Sequence, residues 1–364
     1  MRLSVFIGTY TRPILFGTGD ILQGKGKGIY VYEMEPETGR LSLAAVTEGV
    51  PNPSYLTLSP SGEFLYCVNE LKEYEGMASG SVSAFAHSEG RLRFLNSRAT
   101  RGTDPCHISI DSKGTHVFAA NFMSGSVHAF PVEKDGSLGE GGRFIQHEGK
   151  SVHPTRQKGP HAHSLVLDAR ERYALVPDLG LDRILIYKTD LRPGGEGLTA
   201  ENHGFYESAP GSGPRHCVFH PSGRFCCVIN ELDVSVSVLG WSDGKGKLSH
   251  LQTLPLVDPE TDRNGSIGAD IQMSPDGSRV YASIRGLNTL SEMKAGPTGT
   301  LSLERSVPSG GKTPRSFALS PDGRFLVAAN QDTDNLTVFR ADTLDPVFET
   351  SVPTPVCVKI YRQL

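Results

Sequence analysis

The chain repeats itself, and that repetition restricts its fold more than any other feature. PSYLTLSPSGEFLYCVNE occupies residues 53–70 and PCHISIDSKGTHVFAANF occupies 105–122. Further copies are GPHAHSLVLDARERYALVPDLG (159–180), PRHCVFHPSGRFCCVINE (214–231), GADIQMSPDGSRVYASIRG (268–286) and PRSFALSPDGRFLVAANQ (314–331). Each has an apolar alternation, a polar turn such as Ser-Pro-Asp-Gly, and a β-rich run ending in a small or polar residue. That is the signature of an antiparallel hairpin. The turn glycines Gly62, Gly114, Gly223, Gly277 and Gly323 recur about every 50 residues, allowing for a third copy whose turn lacks glycine, as expected for one four-stranded propeller blade per repeat. Most copies continue into a third strand, such as Ser81 to Phe85 or Asn335 to Phe339, and a fourth follows a Gly-containing turn.

Six copies are complete and a seventh is split. The run Pro355-Val356-Cys357-Val358-Lys359-Ile360 reads as a first strand with nothing after it. Leu3-Val5-Ile7 and Gly28-Ile29-Tyr30-Val31-Tyr32 supply the missing strands. Pairing the two termini in one blade closes the ring and leaves no open sheet edge. The expectation is an all-β, seven-bladed propeller forming one domain over residues 1–364. The 41 Gly and 24 Pro fall between strand patterns, so they mark turns.

A formal charge of −4 with no basic stripe argues against a nucleic-acid partner. No run of 18 apolar residues exists, so no membrane span is expected. The first residues lead into a strand without the apolar length of a signal peptide, and the six cysteines lie in strand patterns without zinc-ligand spacing. Both fit reduced thiols in a cytoplasmic protein. Oligomeric state is not legible.

The hairpin of the third copy carries the densest polar chemistry. Alternation from Ala162 to Asp168 places His163, Leu165 and Leu167 on one face. Because hairpin strands are antiparallel, His161 and His163 fall at the same edge as Asp178. If every blade behaves alike, such edges gather around one axis. The Gly-rich stretch 12–27, with Phe16, Ile21 and Leu22, follows a strand that reaches this rim and can cover the mouth. A second long connection, 146–158, contains His147, His153 and Arg156.

The chain resembles the lactonase family of seven-bladed propellers, which includes bacterial 6-phosphogluconolactonase. The residues carrying the resemblance are Phe6-Ile7-Gly8-Thr9-Tyr10-Thr11, Asn52-Pro53-Ser54-Tyr55-Leu56, Val68-Asn69-Glu70, Gly159-Pro160-His161-Ala162-His163-Ser164, Val176-Pro177-Asp178-Leu179-Gly180, Gly213-Pro214-Arg215-His216 and Asn230-Glu231-Leu232. Fungal carboxymuconate lactonising enzyme is similar more distantly. Its pattern implies His163, Arg215, Glu231 and Arg285 as active groups. In blade 5 the family's Ser-Asn-Arg-Gly becomes Ser283-Ile284-Arg285-Gly286 and the next strand is atypical, so that blade is expected to be reshaped.

Hydrolysing a small lactone needs a base for water and cationic donors for the oxyanion. His163 suits the first role, oriented by Asp178, with Glu231 as second base or as partner to an arginine. Arg215 and Arg285 suit the second. His161, Asp178, Glu70, His107 and Gln331 are candidate substrate contacts, His107 because it is matched to His163 by repeat position. The duller role for each is a hydrogen bond or salt bridge between blades. His161, His163 and Asp178 form only part of a metal shell, and no GxSxG or GxGxxG motif is present, so no cofactor is expected. A carboxymuconate-type cyclase, or a propeller that only binds a ligand or protein at its rim, would use the same scaffold.

Overall fold

The computed structural model describes residues 3–16, 19–257 and 265–362. Met1, Arg2, Gly17 and Thr18, which fall in stretches singled out above, lie outside them. Seven four-stranded antiparallel sheets form, and the described residues contain no helix. Blades 1 to 6 begin at Pro53, Pro105, Val166, Pro214, Ile267 and Pro314. Blade 7 joins Pro355–Arg362 to Leu3–Thr9, Leu3–Thr9 to Gly28–Met34, and Gly28–Met34 to Leu41–Glu48. The expected closure by the termini is therefore present.

Burial follows position within a blade. Second strands such as His116–Asn121 and Phe325–Asn330 are buried throughout, because blades cover both of their faces. Fourth strands such as Leu301–Pro308 alternate with solvent. Apolar layers run between neighbouring blades, one of them joining Phe6, Leu56, Tyr66, Phe85 and Phe130.

The turn glycines sit in the left-handed region, Gly62 at φ 73° and Gly277 at φ 75°. In the third copy, whose turn has no glycine, Glu171 takes that conformation, at φ 54°. Asp168 steadies the turn by accepting the Arg172 and Tyr173 N–H groups at 2.7 and 2.8 Å. Glu171 itself accepts the Ser112 hydroxyl of blade 2 at 2.8 Å. Blade 5 is not reshaped. Thr289–Ala295 is a regular third strand in which buried Glu292 pairs with Arg279 and Arg305.

Inner strands share a departure from ideal pairing. Between Pro53 and Tyr55, Pro105 and His107, Pro214 and His216, and Pro314 and Ser316 the register slips by one residue. A β-bulge at Ser54, Cys106, Arg215 and Arg315 turns that side chain toward one end of the channel. In blade 3 the bulge lies at His163. Ala162 bridges Asp178, His163 N–H donates to Pro177 O at 3.0 Å, and the regular ladder resumes only at Val166–Leu167. The even alternation expected from Ala162 to Asp168 is thus broken.

Candidate active site

Two rings of residues build a cavity of about 630 Å³ at that end of the channel. One is the bulge ring, which supplies Cys106, His163 and Arg315 and places Arg215 just behind them. The other is the residue just past each second strand. Asn69, Asn121, Asn230 and Asn330 end those strands and hydrogen-bond to neighbouring turns or strands. The next residue, Glu70, Phe122, Glu231 or Gln331, faces the cavity, as does Arg285 from the matching place in blade 5. Of the predicted residues, His163, Glu231, Arg285, Glu70 and Gln331 line this space. Arg215 is buried beside it against Glu231.

Glu231 is the electrostatic hub. Its Oε2 accepts Arg215 Nε at 3.1 Å and an Arg285 Nη2 hydrogen bond at 2.7 Å. Its Oε1 accepts a hydrogen bond from Arg156, which comes from the long connection before blade 3. Burial alone would raise the Glu231 pKa, but Arg285, Arg156 and Arg215 together hold it well below the usual carboxylate range. A carboxylate held this way is a weak base. His163 is shifted the other way. Its Nε2 lies 3.9 Å from Glu231 Oε2, and its Nδ1 lies 3.5 Å from Cys106 Sγ. Burial first, then Arg215 and His216, push its pKa well below the ordinary value, so the imidazole is neutral at pH 7. The guanidinium of Arg215 is committed. Besides Glu231 it donates to Ala269 O and meets His216 Nε2 at 3.2 Å.

Three predicted contacts fall elsewhere. Asp178 does not orient His163. It accepts His147 Nδ1 at 2.7 Å and the N–H groups of His161, Gly180 and Leu181, so it caps the turn after its strand. His161 stacks on Phe122 and bonds to that residue's carbonyl at 2.9 Å. His107 is not the counterpart of His163; Cys106 is. The match was one residue off because Ala162, not His161, occupies the place of Pro105. His107 lies against Tyr55 and His216, lining a separate cavity of about 440 Å³ that reaches the turns of the inner hairpins.

Three residues were not singled out as site candidates from the sequence. Arg156 is carried by a connection with no repeat counterpart. Arg315 had a visible signal, since Pro314-Arg315 copies Pro214-Arg215. Cys106 needed the bulge to be recognised. The stretch 12–27 does roof the cavity, through the hairpin Ile14–Leu15/Ile21–Leu22 and Phe16. Among the described residues, no group of three or more His, Cys, Asp or Glu could hold a metal ion.

The family model "Lactonase, 7-bladed beta-propeller" matches residues 4–360. The chain is 33% identical to the 6-phosphogluconolactonase of Bacillus subtilis, over 99% of this chain and 98% of that protein. A Bacteroides fragilis structure described as a candidate 6-phosphogluconolactonase superposes with a TM-score of 0.88 at 32% identity, covering 99% and 98% of the two chains. The periplasmic gluconolactonase of Pseudomonas aeruginosa also gives 0.88, at 30% identity over 100% and 99%.

Proposed function

We propose that this chain, which belongs to the lactonase family of seven-bladed β-propellers, hydrolyses a sugar lactone of the 6-phosphogluconolactone type with His163 as its base. The observation that carries this reading is a neutral, buried imidazole sharing one cavity with Glu231 and several guanidinium groups. Water attacks the lactone carbonyl carbon while His163 Nε2 takes its proton. The carbonyl π bond opens to an oxyanion. Arg285 and Arg156, which reach the cavity wall, supply donors for that charge. Glu231 then stabilises the imidazolium at 3.9 Å. Collapse breaks the ring C–O bond, and the departing alkoxide takes the proton from His163. The product is an open-chain hydroxy acid.

Arg215, with its donors occupied, acts by holding Glu231 in place and keeping His163 neutral. The reading needs no metal, because the charges facing the substrate are guanidinium groups. We place the protein in the cytoplasm on its six buried, unpaired cysteines. A pH-stat assay on glucono-δ-lactone and its 6-phosphate is the test. Acid release no faster than the buffer blank on both would remove the reading, and ultraviolet absorbance with carboxymuconate would then test for a cyclase.

A further inference from the structure

Within the cavity, Arg315 differs from the other arginines. Arg156, Arg215 and Arg285 all converge on the one carboxylate of Glu231. Arg315 donates no hydrogen bond to any described residue. Its nearest carboxylate oxygen, Glu70 Oε1, is 4.0 Å away, and Glu70 already accepts the Tyr10 hydroxyl at 2.9 Å. Yet the Arg315 side chain is only 12% exposed. A guanidinium carries five N–H donors in a planar fork, and burying them without acceptors is costly. What fixes the fork is aromatic. Its central carbon lies 5.5 Å from the Tyr10 ring and 5.3 Å from the Phe16 ring of the roof hairpin. The donor edge is left for a ligand.

Charge points the same way. Buried Arg215 and the largely covered Arg156, Arg285 and Arg315 face Glu231 and Glu70, while Asp104 is neutralised by Lys72 at 2.8 Å. The floor therefore has more positive than negative groups, and the acids Asp20 and Asp332 lie at the exposed rim. Such a floor suits a substrate with an anionic group beyond the lactone itself.

We propose that Arg315 is a specificity residue that binds a phosphoryl group on the lactone substrate, its fork held by Tyr10 and by Phe16 of the roof. This rests on the lactonase reading above. Planar guanidinium groups pair with phosphate oxygens through two parallel hydrogen bonds, which a neutral hydroxymethyl group cannot return.

The test has a kinetic arm and a binding arm. Arg315→Met should lower kcat/KM for 6-phosphoglucono-δ-lactone about 100-fold, mainly through KM, and lower it less than about 3-fold for glucono-δ-lactone. Phe16→Ala, a change on the roof that leaves the blades intact, should lower the ratio of the two by about 3- to 10-fold. In the binding arm, calorimetric titration with 6-phosphogluconate should show the same loss of affinity in Arg315→Met, with gluconate unaffected. Equal losses on both lactones, or an unchanged affinity for 6-phosphogluconate, would overturn the assignment. A wild-type protein that turns over neither lactone would sink the hydrolase reading alone, and the titration would still decide what Arg315 recognises.

Discussion

Replacing Glu231 by glutamine removes one charge and almost no volume, so its effects can be worked out from the geometry. Stability changes first. Arg156, Arg215 and Arg285 would face a neutral amide, and leaving buried charges without their partner costs about 3–5 kcal/mol. For a chain of 364 residues, at about 2.1 cal/mol/K of unfolding entropy per residue, that lowers Tm by about 4–7 °C. Catalysis changes separately. A protonated His163 and an ionised Glu231 at 3.9 Å attract by about 4 kcal/mol at an effective dielectric of about 20. Losing all of that from the transition state would cost about 10³ in kcat, at about 1.4 kcal/mol per decade. The pH profile supplies the sign. Glu231 raises the His163 pKa against burial and Arg215, so without it the imidazole protonates at still lower pH. The acid limb of kcat/KM should therefore move to lower pH while the plateau falls. The assay is a pH-stat rate series from about pH 4 to 8 beside a thermal melt, the range set by where imidazole and carboxylate groups titrate. A variant that melts earlier but keeps kcat within about threefold, with its acid limb unmoved, would show Glu231 to be only a tie between blades, and the reasoning fails.

Three further outcomes are expected. His163→Ala should keep its Tm within a few degrees and lose at least ~100-fold in turnover, the scale of a missing acid–base group; parallel loss of fold and rate would make it structural. Stability should fall as pH drops below the ordinary histidine value, because buried His128 and His216 are both pushed down to about 4, chiefly by burial. The unfolded chain takes up protons near 6.5 that the native state refuses until about 4, so stability is complete above that window and drains across it, by ~3 kcal/mol for His128; urea midpoints constant from pH 7 to 4 would contradict this. Treatment with EDTA followed by dialysis should leave lactone turnover within about twofold, and a loss restored by a divalent cation would require a metal in the mechanism.

The architecture was readable because a repeated hairpin announces both its strands and its turns, and even the split blade followed from two incomplete copies. The chemistry was readable only in part. His163, Glu231 and Arg285 were placed at the rim by family resemblance and repeat position, and the structure brings them together. Asp178 misled because an acid at a strand end looks the same whether it faces a ligand or caps a turn, and here four donors take it. His107 misled because a bulge shifts alternation by one residue and leaves no mark on composition. Blade 5 misled because its third strand lacks the usual Val- and Phe-rich run, although paired arginines let Glu292 sit buried in a regular strand.

The pairing of Leu3–Thr9 with Pro355–Arg362 joins the first described strand to the last. Until Pro355–Arg362 pairs with it, Leu3–Thr9 has one bare edge, and the circle of blades is open on that side. Tyr10, which steadies Arg315, directly follows Leu3–Thr9, and its N–H donates to Thr354 O beside the closing strand. The pocket is therefore complete only once Pro355–Arg362 has docked, and deleting that strand should disarm the pocket and leave a sticky β-edge in one stroke.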